Sequence, residues 1–460
     1  MPTDDTVHSA VAERGCSLEA EEGHDPGMSK TQSFYGWKLV GVLWLLDFLN
    51  MGFPYYGGAV INTYMLKQIA MSHSTYGLGF TLLNLFVGLP SMLVAAAILR
   101  WGIRQAFAIG SSLILAGTLW LSFVAAQPWH YLLGFGVLAG TGISFGTIVP
   151  AATAITRWFI RYRGRAMAVT LSASGFAGFF GAPITNHILA ATGGNWRLAW
   201  LVVGSVAILS GAFAFLFVKE RPEDLAQVPD GRILANVSAS ESNPCSLATK
   251  FPWTARQAYG THAYWMIVIG GIASQFPFFF SVAHLLLHLK GAGVAPADAA
   301  WAMGLLSIGA VGGRLIGGWL MDRLAARIAF MLGLCCYFAG SVLALNVRPH
   351  TLSIAFLAAI FYGTGFGWTF ICMTTSTAHF YGPSAFPKLN GMAMLLTAVV
   401  CSPAGFIGGK LFDIYGNYTL AFELNMMIAA GGIGALFFAS MPTPPERVAT
   451  LPEVEISPAS

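Results

Sequence analysis

The chain has 460 residues, of which 56% are hydrophobic and only 10% are charged, and its formal net charge is +4. Soluble domains carry roughly 25% charged residues, so this composition excludes an ordinary soluble protein with a polar coat. The six cysteines show no spacing typical of a metal site or a disulfide framework.

Long apolar stretches recur along most of the chain and predict an all-α, multi-pass membrane protein. A membrane-spanning helix needs about 20 predominantly apolar residues. Twelve stretches meet that requirement: 38–62, 76–98, 105–126, 129–154, 165–190, 197–218, 262–288, 298–321, 326–347, 350–375, 388–412 and 419–440. The one long hydrophilic stretch between spans follows the sixth, so the sequence predicts two bundles of six helices.

The predicted division of the chain follows from this pattern. Residues 1–34 and 442–460 are polar, and we expect both to be disordered cytoplasmic tails. Residues 35–218 are expected to form the first bundle, 219–261 a cytoplasmic linker and 262–441 the second bundle. The first tail lacks the apolar core typical of a signal peptide, so we expect the first span to act as an uncleaved anchor.

The first span carries Asp47. A carboxylate inside a membrane is costly unless it is protonated, paired or hydrated, so we expect Asp47 to bind and release a coupled proton. The alternative is a carboxyl group held permanently neutral by a neighbouring helix. Asn50, Tyr55 and Tyr56 follow on this span and could line a substrate cavity, although the tyrosines could equally be interfacial residues. Asn84, a lone amide in the second span, could bind substrate or pack between helices.

Basic residues concentrate in the loops on one side of the spans, and the positive-inside rule makes that side cytoplasmic. Both termini are then cytoplasmic. The other side holds Lys67, Arg197, Lys290, Arg348 and Lys410. Six charged residues of the inner loops could control opening and closing there, or could only set topology and meet anionic lipid. They are Arg100, Arg104, Arg163, Arg165, Asp322 and Arg323.

The seventh span contains His284 and His288, one helical turn apart on one face. A metal site would need further ligands, and none lies nearby in the sequence, so we expect no metal and no cofactor. His284 could gain and lose a proton near neutral pH and gate the outer side, or it could be an interfacial residue like His288. Gln275 lies deeper in this span and could donate a hydrogen bond to a substrate.

The eighth span, WAMGLLSIGAVGGRLIGGWLMDRL at residues 301–324, carries a single charge in its interior, Arg314. An arginine at this depth is costly, so it should face a protein interior or a wet cavity. We interpret it as a residue that binds an anion; it could instead only stabilise the tight turn at the cytoplasmic end. Gly309, Gly313 and Gly317 recur every four residues, which predicts close packing against another helix.

The tenth span places Tyr362 and Trp368 among glycines. These aromatic side chains could stack on an organic substrate, or they could fill space between helices. At the outer end of the eleventh span, Asp413 follows Lys410 by about one turn. We expect these two residues to form a surface ion pair without a role in transport.

The two halves of the chain repeat one pattern. Residues 156–183 and 377–406 each begin with an aromatic-rich loop and continue into a helix rich in small residues. The helix starts with Gly-Arg-Ala-Met in the first copy and Gly-Met-Ala-Met in the second. Internal repeats of this kind are typical of secondary transporters, which bind substrate between the halves near the middle of the membrane.

Five stretches carry a resemblance to a known family: YGWKLVG (35–41), RWFIRYRGRAMA (157–168), NWRLAW (195–200), HLLLHLKGAGVAPADAAWAMGLLSIGAVGGRLIGGWLMDRL (284–324) and GGKLFDIYGNYTLAF (408–422). The chain resembles the major facilitator superfamily, and within it the monocarboxylate porters and the oxalate/formate antiporters. The resemblance implies the two-bundle, twelve-helix fold of that family. It also places the substrate arginine of the porters at Arg314.

The sequence departs from the family pattern at several positions. Leu99 stands where the loop after the second span usually has an aspartate, whereas Asp322-Arg323 keeps the matching pair in the second half. Ala310 stands where the porters have an aspartate four residues before the arginine, and the first span has no interior lysine. The porters' arginine carries over and their aspartate and lysine do not, so their proton relay is not implied here.

These observations predict a secondary transporter that moves a small organic anion, in the first place a monocarboxylate, across the cell membrane by alternating access with proton coupling. In a prokaryote this would be the inner membrane. We expect a monomeric functional unit whose partners are the anion, protons and membrane lipids, with no nucleic acid.

Two alternatives stay open. An exporter of drugs or metabolites on the same fold is faintly favoured by Gly175, Gly178, Gly181 and Pro183, and a non-transporting sensor is the other. The sequence contains no catalytic motif such as Gly-x-Ser-x-Gly or His-Glu-x-x-His, so we expect no enzyme.

Overall fold

The computed structural model describes residues 34–159, 162–231, 253–321, 323–439 and 442. Parts of the predicted tails and linker lie outside the described residues, namely 1–33, 232–252 and 443–460. Asp322 also lies outside them, and the side chain of Arg163 is not described.

The described residues form helices and no strands. Eleven of the helices are long and apolar enough to cross a membrane, and a bent pair makes the twelfth span. We number the spans α1 to α12: Gly36–Gln68, His73–Gly88 with Ser91–Trp101, Ile103–Val124, Pro128–Trp158, Arg165–Ala191, Trp196–Phe217, His262–Gly291, Pro296–Met321, Ala326–Leu345, Leu352–Gly382, Lys388–Tyr415 and Thr419–Phe437. The prediction of an all-α protein with twelve spans is confirmed.

Proline and glycine set the irregular points of these helices. α2 bends by 42° between Gly88 and Ser91, where Pro90 cannot donate a backbone hydrogen bond. α1 widens into a π-helical segment at Gly52–Gly57, which contains a proline. α10 ends at Gly382, whose φ of 72° is readily adopted by a residue without a side chain. Each of these three irregular points therefore includes a glycine or a proline.

The two ends of the helices differ in charge. The end that we call the basic end carries Arg100, Arg104, Arg157, Arg165 and Arg323. The end that we call the opposite end carries Lys67, His73, Lys290 and Asp413. The positive-inside rule assigns the basic end to the cytoplasm, and that assignment stays a prediction.

The glycine strip of α8 packs against α10, as its spacing predicts. A Cβ atom added to Gly309 would lie 3.0 Å from the carbonyl oxygen of Ile360, and one added to Gly317 would lie 2.9 Å from the backbone of Trp368. Side chains larger than hydrogen would therefore push the two helices apart. In lipid, such close backbone contact is a main source of helix association.

We call α1–α6 the first half and α7–α12 the second half. One contact between them joins α5 to α8. Gly178 faces Ser307, and Gly304 lies against the backbone of α5. Further toward the basic end, Gly175 faces Val311. Because α8 begins at the opposite end, this contact covers that end and the middle of the helix.

A second contact between the halves joins α2 to α11. The backbone of Gly77 approaches that of Gly405 so closely that neither position has room for a side chain. Nearby, the backbone N–H of Phe406 donates to Thr81 Oγ1 at 3.2 Å. This contact lies in the part of both helices next to the opposite end, so the two halves close there.

Candidate functional site

Asp413 holds the two halves together at the opposite end. Its two carboxylate oxygens accept hydrogen bonds from the backbone N–H groups of His73 and Ser74, both at 2.9 Å. These N–H groups belong to the first turn of α2, where helix backbone donors lack partners within the helix. The predicted ion pair with Lys410 is wrong: among the described residues, the ion pairs within 4.0 Å are His73–Asp413 and Arg157–Glu220.

His284, the predicted proton-sensitive gate, lies fully buried behind this contact. Its Nε2 is 2.6 Å from the carbonyl oxygen of Gly405, and its Nδ1 is 3.1 Å from the hydroxyl of Tyr418. The ring of Tyr76 from the first half lies 5.8 Å away. Both imidazole nitrogens therefore have partners in this conformation, and the proton-coupling role of His284 stays a prediction.

At the basic end, four of the predicted gating residues have described side chains, and the contacts found for these four stay within one half. The Nε–H of Arg104 donates to the carbonyl oxygen of Val218. Three other arginines lie near aromatic rings of their own half: Arg100 at 5.6 Å from Trp101, Arg165 at 5.7 Å from Tyr162 and Arg323 at 4.1 Å from Trp319. The gating role of these residues, and of Arg163 and Asp322, stays a prediction.

Glu220 was not identified from the sequence, yet it organises the basic end of the first half. Its carboxylate accepts hydrogen bonds from the backbone N–H groups of Ile103 and Arg104 at 2.9 Å, and it pairs with Arg157 at 3.2 Å. It thus supplies a carboxylate at the start of α3, close to the position where Leu99 replaces the family's aspartate. The loop after α6 gave no spacing signal for this contact, because Glu220 lies 117 residues from Ile103.

Arg314 lies one helical turn beyond the α5–α8 contact, toward the basic end. It is half-buried, and its Nε is enclosed without a hydrogen-bond partner. Its guanidinium carbon lies 6.0 Å from the centre of the Phe370 ring. Its charge acts on Asp47 and Tyr56, both of which belong to the first half. The guanidinium therefore lies within electrostatic range of polar groups of the first half, and its Nε–H donor is unused.

Asp47 faces this guanidinium from α1. The residue is 3% exposed, and its Oδ2 is enclosed without a hydrogen-bond partner. Arg314 acts on the carboxyl group, but no nitrogen of Arg314 comes within 4.0 Å of it. An acid and a guanidinium thus oppose each other across the two halves with unsatisfied polar atoms on both sides. This arrangement could hold a small anion and a proton together.

Tyr56 joins the same region at the edge of the contact between the halves. Its side chain is 7% exposed, and its hydroxyl interacts with Ser307 on α8. Ser307 precedes Arg314 by two helical turns, so both residues lie on the face of α8 that meets the first half. Ser307 was missed because a lone serine in an apolar span is usually a packing residue.

Three predicted substrate-binding amides have partners within their own half. Asn50 Nδ2 donates to the carbonyl oxygen of Gly146 at 2.8 Å, and Gln275 Nε2 donates to Thr397 Oγ1 at 2.9 Å. Asn84 accepts from the Tyr55 hydroxyl at 2.9 Å and donates to the Phe80 carbonyl oxygen at the same distance. These bonds tie neighbouring helices, and a substrate role for the amides stays a prediction.

The two predicted aromatic residues of α10 pack inside the second half. Tyr362 is fully buried, with its hydroxyl 2.7 Å from Ser341 Oγ. Trp368 lies against Gly317 on α8 and Gly333 on α9. In this conformation both side chains pack between helices, and a substrate-binding role for either one stays a prediction.

A row of three phenylalanines, of which Phe370 neighbours Arg314, was missed. Phe278 on α7 stacks on Phe366 with ring centres 3.7 Å apart, and Phe366 lies 5.9 Å from Phe370. Phe370 in turn neighbours Arg314. The four-residue spacing of Phe366 and Phe370 places them on one face of α10, but that spacing cannot tell a cavity wall from ordinary packing.

Comparisons with known proteins agree with the arrangement of the helices. The model of the Major Facilitator Superfamily matches residues 43–401. Monocarboxylate transporter 13 of Bos taurus is 29% identical over 346 residues, which is 73% of this chain and 74% of that protein. Monocarboxylate transporter 2 of Homo sapiens is 23% identical over 403 residues, 84% of this chain and 81% of that protein.

A solved structure shares the fold. It is a bacterial homolog of the human lysosomal transporter Spinster in an inward-facing and occupied conformation, with a TM-score of 0.65 and 16% identity over 89% of this chain and 97% of that chain. The sequence relatives are transporters rather than enzymes, and the apolar spans make this a multi-pass membrane protein. Since the family model matches more than half of its residues, the chain belongs to the Major Facilitator Superfamily.

Proposed function

We propose that the protein moves a small monocarboxylate across the cell membrane together with a proton. The observation that carries this proposal is the Arg314 guanidinium, which lies between the halves with an enclosed, unpartnered Nε and without a carboxylate within 4.0 Å among the described residues. A buried cation without a counter-ion is costly, and a transported carboxylate would supply the missing charge. The names of the monocarboxylate transporters similar to this chain support the same substrate class.

The neighbourhood of Arg314 favours a small anion with an apolar part. A guanidinium can bind a carboxylate through two parallel hydrogen bonds. Phe370 lies beside the guanidinium, and Phe366 and Phe278 continue this apolar wall. The carboxylate would bind Arg314 while the carbon chain of the substrate contacts these rings.

Asp47 is our candidate for the proton carrier. A charged carboxylate at this position would repel the bound anion, whereas its protonated form would not. Anion binding and protonation of Asp47 would therefore favour each other. Asp47 would take the place of the aspartate that the porters carry on the eighth span, where this chain has Ala310. His284 is a weaker candidate because both of its ring nitrogens already have partners.

Alternating access would follow from movement of the two halves around this site. The halves meet at the opposite end through α2–α11 and through α5–α8. In the other conformation these contacts would separate and the basic end would close. The six charged residues predicted to act in gating lie at the basic end or in its loops, where such closure would bring the halves together.

The experiment that tests this proposal is uptake by purified full-length protein in proteoliposomes with an inward proton gradient. Radiolabelled formate, acetate, lactate, pyruvate and phenylpyruvate would serve as probes. Arg314→Gln is expected to lower uptake by about a hundredfold or more, because a bidentate pair makes two charge-assisted hydrogen bonds of about 1.5–3 kcal/mol each. Arg314→Lys should lose most of the uptake, since an ammonium group lacks the planar pair of donors with which a guanidinium binds a carboxylate.

Arg327→Gln is the matched control, because this exposed arginine at the start of α9 belongs to none of the residues predicted to bind substrate or to act in gating. It should retain wild-type affinity. Uptake that Arg314→Gln leaves unchanged, or the absence of uptake of every probe, would overturn the proposal.

The exporter alternative gains no support from the glycines of α5. Gly175 and Gly178 face Val311 and Ser307, and Gly181 packs against Gly52. They provide room for contact between helices, and that is sufficient to explain their presence.

A further inference from the structure

Lys290 connects the two halves at the opposite end. It lies in the last turn of α7, and its ammonium group donates to Thr63 Oγ1 at 2.9 Å. The same nitrogen lies 4.8 Å from the centre of the Tyr64 ring. Both partners belong to α1, in the first half. Lys290 therefore sits where the halves must part if the opposite end is to open.

The ammonium group of Lys290 has only neutral partners. The residue is half-buried, and among the described residues no carboxylate lies within 4.0 Å of it. The charge that acts on it is that of Lys67, an exposed residue of α1 with the same sign. A hydroxyl and the face of an aromatic ring stabilise a partly desolvated cation less than a carboxylate does.

Asp413, whose carboxylate joins the halves at this end, does not pair with Lys290. Both carboxylate oxygens of Asp413 accept hydrogen bonds from the backbone N–H groups at the start of α2. The opposite end thus places Lys290 of the second half near Lys67 of the first half, while Asp413 binds backbone N–H groups rather than an ammonium group. Two like charges near each other repel, and an anion placed between them would relieve that repulsion.

We propose that Lys290 is a second anion-binding residue, which receives the carboxylate of the substrate at the opposite end before it reaches Arg314. This inference rests on the proposed transport of a monocarboxylate. When α1 and α7 separate, the ammonium group of Lys290 loses its hydrogen bond to Thr63. The three N–H donors of the ammonium group then become available to the arriving carboxylate. Lys67 adds attraction at longer range. Arg314 then takes over the carboxylate near the middle of the membrane.

A mechanical role for Lys290 makes a different prediction. If its contact with Thr63 only held the halves together, then removing either partner would have the same effect. If Lys290 binds the anion, removing the hydroxyl of Thr63 leaves the ammonium group in place and leaves anion capture intact. Thr63→Val is therefore the variant that separates the two roles.

The test compares the two faces of the membrane in cells that express the full chain, with the transported monocarboxylate of the five probes above. Lys290→Gln is expected to raise KM about tenfold or more for substrate that enters at the face of the opposite end, because a hydrogen bond to a charged group contributes about 1.5–3 kcal/mol. KM at the other face, measured as efflux from preloaded cells, should change by less than about twofold, since that route reaches Arg314 directly. Lys290→Arg should restore most of the affinity.

Two controls complete the set. Thr63→Val should keep the wild-type KM at both faces, and Lys67→Gln should raise KM at the same face by a smaller factor that disappears at high salt. Size-exclusion profiles in detergent would show that each variant is folded.

The inference is overturned if Lys290→Gln leaves KM unchanged at both faces or changes it equally at both. It is also overturned if Thr63→Val changes KM to the same extent as Lys290→Gln. In those cases the proposed function stands as long as Arg314→Gln still abolishes uptake. If the wild-type protein carries none of the five probes, the proposed function fails and this inference fails with it.

Discussion

Asp47 and Arg314 at the centre of the molecule differ from Asp413 and His284 at its opposite end in how their polar atoms are satisfied. At the opposite end, Asp413 and His284 have hydrogen-bond partners for the atoms that could accept or donate. At the centre, Asp47 Oδ2 and Arg314 Nε are enclosed without any. A paired polar group stabilises the conformation in which it is paired, whereas an unpaired one raises the energy of the conformation that encloses it. The contacts of Asp413 and His284 therefore stabilise the conformation in which the opposite end is closed. The unpaired atoms of Asp47 and Arg314 are available to bind a ligand at the centre.

We expect the largest effect from Asp47→Asn, which removes the titratable carboxyl group at the centre. An inward gradient of about one pH unit should drive about tenfold accumulation through a carrier of one proton per anion, because one pH unit corresponds to about 1.36 kcal/mol. Wild-type uptake should therefore rise as the pH of the entry side falls. The asparagine variant should exchange substrate but not accumulate it.

Accumulation is measured in proteoliposomes at equal substrate concentration on both sides, with exchange of labelled substrate as the control for folding and binding. Gradient-driven accumulation that survives Asp47→Asn would assign coupling to another group. His284→Gln in the same assay would then examine the other candidate.

Asp413→Asn should weaken the opposite end without touching the centre. The amide keeps one acceptor oxygen and loses the other, so one charge-assisted bond of about 1.5–3 kcal/mol to the start of α2 is lost. The closed conformation of this end should lose population by roughly tenfold relative to the open one. Distances between spin labels placed on α2 and α11 at this end would report the change.

Lys410→Gln is the matched control for Asp413→Asn, because Lys410 is exposed on the same helix and forms no ion pair with Asp413. A distance distribution that responds equally to both substitutions would mean that Asp413 acts through general charge rather than through α2.

Tyr362→Phe should have the smallest effect on transport, and it tests whether Tyr362 contacts the substrate. Its hydroxyl bonds to Ser341 inside the second half, so its loss should cost about 1 kcal/mol of stability. KM for the transported monocarboxylate should not change. Thermal unfolding in detergent and uptake kinetics measure the two quantities, and an increase in KM of more than about threefold would place Tyr362 at the substrate after all.

The features that the sequence predicted well are those with local causes. Spans of about 20 apolar residues are recognised by length and composition alone. Arg314 could be identified because a charge inside such a span is rare and costly. The packing of Gly309 and Gly317 against α10 followed from their spacing.

The features that were missed depend on partners far away in the chain. Asp413 binds the backbone of residues that lie 340 and 339 positions earlier, and Glu220 binds α3 in a similar way. Backbone N–H groups leave no mark in a sequence, so neither contact could be predicted. The wall of Phe278, Phe366 and Phe370 was missed for another reason: aromatic residues in membrane spans look the same whether they pack or line a cavity.

Ligand-induced stabilisation of the purified protein tests most directly whether Arg314 binds an anion. At a ligand concentration of about 100 times Kd, binding should stabilise the wild-type protein by about 2.7 kcal/mol. Monocarboxylates should raise the unfolding temperature of the wild type and of Arg327→Gln, and should leave that of Arg314→Gln unchanged. An equal shift in all three proteins would contradict the assignment of Arg314 as the carboxylate-binding residue.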